Sequence, residues 1–160
     1  MKKIEKILVG VDLSEYSTLA IEYAVEFAKA SNAEILLLNV LNQRDINGVK
    51  MASAYYPNGI DLERYITDSK TERYNAIRAL VKEKFFEVKS TMSIHVNMGV
   101  PFEEILNFAK DENIDLIVIG NKGRSNLSRT LFGSNAEKIF RHAKVPVVSV
   151  RDRDNFSRKS

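Results

Sequence analysis

The chain has 160 residues, of which 44% are hydrophobic and 28% are charged, which is the usage of an ordinary globular protein. This length predicts one domain with a core that needs no disulfides or metal ion to hold it. The absence of cysteine excludes a disulfide framework, a thiolate zinc site, an iron–sulfur cluster and a cysteine nucleophile. The net charge is +3, and the last ten residues carry +2 of it, so no basic stripe for nucleic acid is predicted along the body of the chain.

The sequence also predicts no contact with a membrane. The longest apolar runs, at residues 35–38 and 116–119, are far shorter than the ~20 residues of a membrane span. The basic N-terminus leads into a strand-like segment instead of the longer apolar stretch of a signal peptide. We therefore expect a cytoplasmic protein. The histidines, His95 and His142, are widely separated, and their spacing predicts no metal site.

The first half of the chain begins with a strand, a loop and a helix. Residues 7–11 form a nearly continuous apolar run, which is typical of a strand buried on both faces of a parallel sheet. Apolar residues then recur at helical spacing over residues 19–28, and residues 34–40 predict a second buried strand. The pattern lapses from 41 to about 67, where turn signals predict an insertion that covers a site or makes contacts.

The second half continues the alternation of strands and helices. Its predicted elements are a helix from 62 to about 89, a strand at 92–98, a helix at 102–111, a strand at 115–120, a helix at 134–142 and a strand at 145–150. Five strands and four helices in alternation predict an α/β protein with a parallel sheet covered on both faces. We expect a single domain over residues 1–151 and a polar tail at 152–160. Ligands of such sheets bind beyond the carboxyl ends of the strands, where the strand order reverses.

The segment between the fourth strand and the fourth helix has the composition of an anion-binding loop. Gly120, Gly123 and Gly133 fall within fourteen residues that also hold three basic residues and no acidic one. Glycines let backbone N–H groups approach an anion, and a helix N-terminus adds unpaired donors. The common fingerprints G-x-x-x-x-G-K-[ST] and G-x-G-x-x-G are absent. A surface turn followed by an N-cap at Ser134 is therefore an equal alternative at this point.

One wider spacing favours the anion-binding interpretation. Gly120, Gly123, Gly133 and Ser134 satisfy G-x2-G-x9-G-[ST], and Asp12 follows the first strand. With the order of the elements, this motif makes nearly the whole chain similar to the universal stress protein family, specifically to its ATP-binding branch. The resemblance implies a Rossmann-like sheet of strand order 3-2-1-4-5, in which Asp12 stands opposite the glycine loop.

The resemblance implies a nucleotide site at this edge of the sheet. Asp12 and the backbone at Val11 and Val40 would meet the ribose and adenine, and Ile119 would line the base or ribose pocket. The residues that would hold the phosphates are Gly120, Lys122, Gly123, Gly133, Ser134 and Asn135. From the residues alone, Asp12 could instead cap the first helix, and Ser134 could cap the fourth.

The function implied by the resemblance is that of an ATP-dependent switch or binding module in the stress response. Mg²⁺ or Mn²⁺ would be bound mainly through the phosphates of ATP. No catalytic residue is predicted, because the glycine loop has no carboxylate to act as a base, so hydrolysis would be slow at most. The alternative is a dimeric adaptor of the same fold that binds no nucleotide. The family also implies a homodimer through the fifth strand, whose apolar residues are Val147, Val148 and Val150.

A phospho-accepting receiver domain shares the five-stranded alternating pattern but fits the sequence poorly. Such a domain needs an aspartate at the end of the third strand and a lysine at the end of the fifth. This chain has Asn97-Met98-Gly99 and Arg151 at those places.

Overall fold

The computed structural model describes residues 2–56, 58–121 and 134–152, and it alternates strands and helices along the chain. The strands are β1 (Lys6–Gly10), β2 (Glu34–Asn42), β3 (Met92–Gly99), β4 (Leu116–Gly120) and β5 (Val147–Val150). The α-helices are α1 (Glu15–Ser31), α2 (Gln43–Ser53), α3 (Leu62–Lys84), α4 (Pro101–Asp111) and α5 (Ser134–His142), and a 3₁₀ helix spans Phe86–Thr91. Within the described residues, no helix combines the length and apolar character needed to cross a bilayer.

The strands form one five-stranded sheet in the order β3-β2-β1-β4-β5. Every neighbouring pair is parallel, and β1 lies at the centre, where Val9 is opposite Leu37 of β2 and Val118 of β4. The predicted α/β class and strand order are confirmed. The order reverses between β1 and β4, so the carboxyl ends of these strands flank the place where such sheets bind ligands.

Each face of the sheet has its own hydrophobic core, because successive side chains of a strand point to opposite faces. Ile7 and Val9 pack with α1 and α3 on one face. Leu8 and Ile117 pack with α4 and α5 on the other face. This double coverage explains why β1 and β4 are almost continuously apolar, and it leaves their carboxyl ends as the accessible part of the central sheet.

Helix α2 corrects the expectation of a stretch without regular structure after β2. Asn42 caps this helix by accepting a hydrogen bond from the Arg44 N–H at 3.0 Å, and α2 contacts β2 and α3. Only Ile46 of α2 is buried, so the helix lacks the apolar period on which the prediction relied. The described residues therefore hold five α-helices where the sequence predicted four.

Helix α3 also ends earlier than predicted. It stops at Lys84 instead of continuing to about residue 89, because Phe85 leaves the helical conformation with φ −127°. The Phe85 side chain is buried in the core on the α1 and α3 face. Its N–H still bonds to the Val81 carbonyl at 2.9 Å. Burial of Phe85 thus ends α3 and directs the chain toward the 3₁₀ helix that precedes β3.

The amino ends of β1 and β4 are joined by Asp115. Its Oδ2 accepts hydrogen bonds from the N–H groups of Glu5 at 2.9 Å and Lys6 at 3.1 Å, and its Oδ1 lies 3.0 Å from the Lys2 ammonium. The Glu5 hydrogen bond, ahead of the Lys2 and Lys6 contacts, holds the pKa of Asp115 below its ordinary value of 3.8, although burial opposes this shift. The ionised carboxylate therefore stabilises the central strand pair.

We expect Asp115→Asn to lower the free energy of unfolding by about 2 kcal/mol at pH 7, since a neutral amide oxygen accepts from the Glu5 and Lys6 N–H groups less strongly than a carboxylate and the Lys2 ion pair is lost. The folded-state pKa is depressed, so this contribution is complete well above pH 3.8 and disappears as the pH falls through 3.8 and below. Urea unfolding at pH 7 and at pH 3 measures both effects. The exposed Asp111→Asn is the control, expected within about 0.5 kcal/mol of the wild type. If Asp115→Asn lowered the free energy of unfolding equally at both pH values, the stabilising role of the ionised carboxylate would be contradicted.

Candidate functional site

The candidate site lies at the carboxyl ends of β1, β2 and β4. The chain leaves β1 at Gly10, and the Val11 N–H still donates to the Leu38 carbonyl of β2 at 2.8 Å. Val11 is 3% exposed, whereas Asp12 is half-buried. The transition from a buried strand to a half-accessible carboxylate therefore takes a single residue.

Residues 12–14 form a tight turn, called the Asp12 turn below. Oδ1 of Asp12 accepts hydrogen bonds from the N–H of Ser14 at 3.0 Å and from the Ser14 hydroxyl. Leu13 between them has φ +65°, a left-handed conformation that L-residues with a side chain rarely adopt. Within the described part of the chain, Asp12 accepts bonds through Oδ1 alone, which leaves Oδ2 available to a ligand.

The N-cap of α1 is Ser14, not Asp12. The Ser14 side chain accepts a hydrogen bond from the Ser17 N–H at 3.3 Å. The alternative role considered for Asp12, capping the first helix, therefore belongs to its neighbour. Oδ1 of Asp12 accepts from the Ser14 hydroxyl that caps α1, and Oδ2 takes no part in the cap.

A polar pair that the sequence did not predict, the buried Asn39 and the half-buried Arg73, joins β1, β2 and α3. Asn39 is 2% exposed and its Nδ2 donates to the Val11 carbonyl at 2.7 Å. Its Oδ1 accepts from Arg73 Nη1 of α3 at 2.9 Å, and the same Nη1 lies 3.5 Å from the Val40 carbonyl. The backbone at both predicted positions, Val11 and Val40, is thus held by side-chain donors. One feature of the sequence indicates this pair: Asn39 is a polar residue in the interior of the otherwise apolar strand β2.

Gly120 closes β4 against the first turn of α1. A Cβ added at this glycine would lie 2.9 Å from the Tyr16 Cβ and 3.0 Å from the Tyr16 carbonyl oxygen. The neighbouring Ile119 is 5% exposed and belongs to the core on the α4 and α5 face. A close approach of two backbones therefore accounts for glycine at position 120, whatever its role toward a ligand.

The predicted phosphate-binding segment is described at its two ends. Lys122, Gly123 and Gly133 lie outside the described residues. Ser134 and Asn135 form the exposed start of α5, which is anchored through the buried Ala136 and Ile139. The structure therefore links the backbones of Val11 and Val40 through Asn39 and Arg73, with Asp12 next to Val11 in the chain. It also exposes the predicted polar side chains at the beginning of α5.

Nothing in the described ranges resembles a preformed metal centre. Among residues 2–56, 58–121 and 134–152, no group of three or more histidine, aspartate or glutamate side chains could hold a metal ion. His95 contacts the Phe108 ring edge-on, with centroids 4.9 Å apart, and lies 3.0 Å from the Ser93 hydroxyl. This histidine therefore has a packing role between β3 and α4.

A comparison with models of known protein families matches residues 3–151 to the universal stress protein family. The chain belongs to the universal stress protein family. Universal stress protein MJ0577 of Methanocaldococcus jannaschii is 26% identical, over 94% of this chain and 97% of that protein. The resemblance drawn from the glycine spacing and Asp12 is therefore confirmed at the level of the family.

Solved structures of universal stress proteins share the fold of this chain. The structure of MJ0577 superposes with a TM-score of 0.77, at 26% identity, over 95% of this chain and 99% of that one. A universal stress protein in complex with cAMP has a TM-score of 0.60 at 23% identity, covering 93% and 98% of the two chains. The Archaeoglobus fulgidus universal stress protein in complex with dAMP has a TM-score of 0.52 at 18% identity, covering 94% and 100%.

Proposed function

We propose that this universal stress protein binds ATP at the carboxyl ends of β1, β2 and β4 and acts as a nucleotide-dependent switch or binding module in the stress response. The observation that carries the proposal is the Asp12 turn at the strand reversal. It holds a half-buried carboxylate by one oxygen and leaves the other, Oδ2, available. A carboxylate oxygen is a strong acceptor for the vicinal hydroxyls of a ribose.

The groups around Asp12 are suited to the rest of a nucleoside. The Val40 side chain packs beside the core on the α4 and α5 face, and the buried Ile119 belongs to that same core. These aliphatic residues offer the apolar lining that an adenine ring needs. The backbone carbonyls of Val11 and Val40 each have a second lone pair, so the contacts with Asn39 and Arg73 do not prevent bonds to a ligand.

The phosphates would extend from Asp12 toward the start of α5. Ser134 and Asn135 are exposed in its first turn, where unpaired N–H groups and the helix dipole favour an anion. The proposal assigns the remaining contacts to Gly120, Lys122, Gly123 and Gly133, of which the last three lie outside the described residues. Mg²⁺ or Mn²⁺ would be bound through the phosphate oxygens, and we propose at most slow hydrolysis.

Other universal stress proteins support an adenine nucleotide as the ligand of this fold. Two structures of universal stress proteins are complexes with cAMP and dAMP, so the fold accepts adenine nucleotides in other members. The protein would act in the cytoplasm, where ATP is available to such a switch. The alternative function remains a dimeric adaptor that binds no nucleotide.

Calorimetric titration with ATP and with GTP tests the proposal. We expect saturable binding of ATP and weaker binding of GTP, because the backbone carbonyls at Val11 and Val40 can accept from the amino group of adenine, whereas guanine has an acceptor oxygen at that position. Failure to detect any heat of ATP binding at millimolar nucleotide, with magnesium present, would favour the adaptor function instead.

We also propose that the protein is a homodimer through the edge strand β5. The apolar side chains of this strand serve the protomer itself, since Val147 and Val148 pack against the two cores and Val150 is 3% exposed. This changes the expectation that the three valines form the pairing surface. The support comes instead from an adjoining cleft of about 520 Å³ between α5 and β5.

Two features of this cleft suit a partner protomer. Phe140 is 44% exposed beside it, and the buried hydroxyl of Ser149 has no hydrogen-bond partner among the described residues. A second copy of the strand would bury the ring and could supply a polar partner for the hydroxyl.

We expect Phe140→Glu to convert the dimer into a monomer, because a charge would be buried in the apolar part of the interface. Sedimentation velocity at micromolar protein measures the change. Phe86→Glu is the matched control, since Phe86 is 53% exposed on the 3₁₀ helix and should leave the dimer intact. A wild type that sediments as a monomer, or a dimeric Phe140→Glu, would refute the interface.

A further inference from the structure

We propose that Arg73 is a positioning residue for the nucleotide site, which acts through the amide of Asn39 on the backbone that carries Asp12. This inference rests on the proposed function, since it assigns to α3 a part in ribose recognition. Arg73 stands far from the glycine loop in the sequence, and nothing in the spacing of the site residues includes it.

The pathway consists of two short hydrogen bonds through a buried amide. Arg73 Nη1 donates to Asn39 Oδ1 at 2.9 Å, and Asn39 Nδ2 donates to the Val11 carbonyl at 2.7 Å. Asn39 is 2% exposed, so water does not compete for these bonds. Arg73 is itself half-buried and forms no ion pair with a carboxylate of the described residues. Its hydrogen bonds are thus directed at the carboxyl end of β2, and it reaches β1 through Asn39.

The chemistry of the guanidinium group sets the orientation of the amide. Arginine carries donors only, so the amide oxygen of Asn39 must face Arg73. The amide NH₂ group then faces the Val11 carbonyl, which can only accept. Without Arg73, the amide could rotate by 180° without placing its NH₂ group against the donors of a guanidinium group. If it did not rotate, its buried oxygen would have lost its donor.

The orientation of this carbonyl constrains the backbone from which the Asp12 side chain projects. The Val11 carbonyl and the Asp12 N–H belong to one planar peptide group. Asn39 holds the carbonyl of this peptide at 2.7 Å, while the Leu38 carbonyl holds the Val11 N–H of the preceding peptide at 2.8 Å. The next residue, Leu13, has φ +65°, a conformation that persists only when its surroundings enforce it. Arg73 therefore helps to hold the Asp12 turn in a ribose-binding geometry before ligand arrives.

The test compares Arg73→Met, Arg73→Lys and the control Arg78→Met, which alters an exposed arginine of the same helix. Calorimetry measures Kd for ATP and for 2′-deoxy-ATP, and ¹⁵N NMR of the nucleotide-free protein monitors the Asp12 N–H and the Asn39 side-chain NH₂. Methionine keeps the length of the side chain and removes its donors. Lysine restores a donor and should rescue part of the effect.

We expect Arg73→Met to weaken ATP binding about tenfold and 2′-deoxy-ATP binding less than about threefold, so that discrimination for the ribose hydroxyl falls. Arg73→Lys should lie in between, and Arg78→Met should match the wild type. In the nucleotide-free Arg73→Met variant, the Asp12 and Asn39 amide signals should shift, while they stay in place in Arg78→Met.

The outcomes separate this inference from the function on which it rests. A wild type that binds ATP with a ribose preference, together with an Arg73→Met variant that keeps this preference, would overturn the role of Arg73 alone. A wild type that binds no ATP would overturn both the proposed function and ribose positioning. In either case, unmoved Asp12 and Asn39 signals in folded Arg73→Met would overturn the proposed hydrogen-bond pathway.

Discussion

Replacing Gly120 with valine is expected to destabilise the protein by about 3 kcal/mol, the upper range for overpacking a rigid site. The new Cβ would lie 2.9 Å from the Tyr16 Cβ and 3.0 Å from its carbonyl oxygen, and a backbone atom cannot move aside as a flexible side chain would. Relief requires α1 to move away from β4, which also displaces the Asp12 turn that precedes α1. Urea unfolding of the purified variant measures the loss of stability.

The matched control is another glycine, Gly48 of helix α2. A Cβ added at Gly48 meets nothing within 4 Å, so Gly48→Ala should stabilise the protein by about 0.5–1 kcal/mol through helix propensity. The two substitutions should change the free energy of unfolding in opposite directions, which distinguishes a steric conflict at Gly120 from a general effect of losing a glycine. A Gly120→Val variant that unfolds at the urea concentration of the wild type would show that α1 does not press on β4 as the structure indicates.

Replacing Asp12 with alanine should weaken ATP binding about 100-fold, because hydrogen bonds from the ribose to a charged acceptor are lost. The same change removes the acceptor for the Ser14 N–H and hydroxyl, but Ser14 is only half-buried and water can replace that acceptor, so the free energy of unfolding should fall by only about 1 kcal/mol. A large loss of affinity with a small loss of stability is therefore the expected combination. Calorimetric titration and urea unfolding of one preparation measure both quantities.

Asp45→Ala is the control for this substitution. Asp45 is an exposed acid in the first turn of α2, so its removal makes the same change in net charge outside the proposed site. Its affinity for ATP should equal that of the wild type. If Asp12→Ala bound ATP as tightly as Asp45→Ala, Asp12 would have no part in the site and the proposed ribose contact would be wrong.

The fold could be predicted in large part because its central strands are buried on both faces. This burial makes β1 and β4 almost continuously apolar, a signal that does not depend on distant residues. The strand order came from the family resemblance and not from the pattern itself. Helix α2 was not predicted because it buries only Ile46 and therefore has little apolar periodicity.

The candidate site was predictable only where its residues follow a strand or obey a motif. Asp12 follows β1 after one intervening residue, as the sequence predicted, and Ser134 does begin α5. The contacts of Asn39 with Arg73 could not be read from the sequence, because they join residues 34 positions apart across a strand and a helix. The Tyr16 contact with Gly120 also depends on how α1 packs, which no local pattern specifies.

Native mass spectrometry of the purified protein, before and after addition of millimolar ATP with magnesium, tests nucleotide binding most directly. The proposed function predicts a mass increment of one adenine nucleotide per chain, either retained through purification or gained on addition of ATP. A protein that keeps the mass of the bare polypeptide under both conditions would contradict nucleotide binding and leave the dimeric adaptor as the better account.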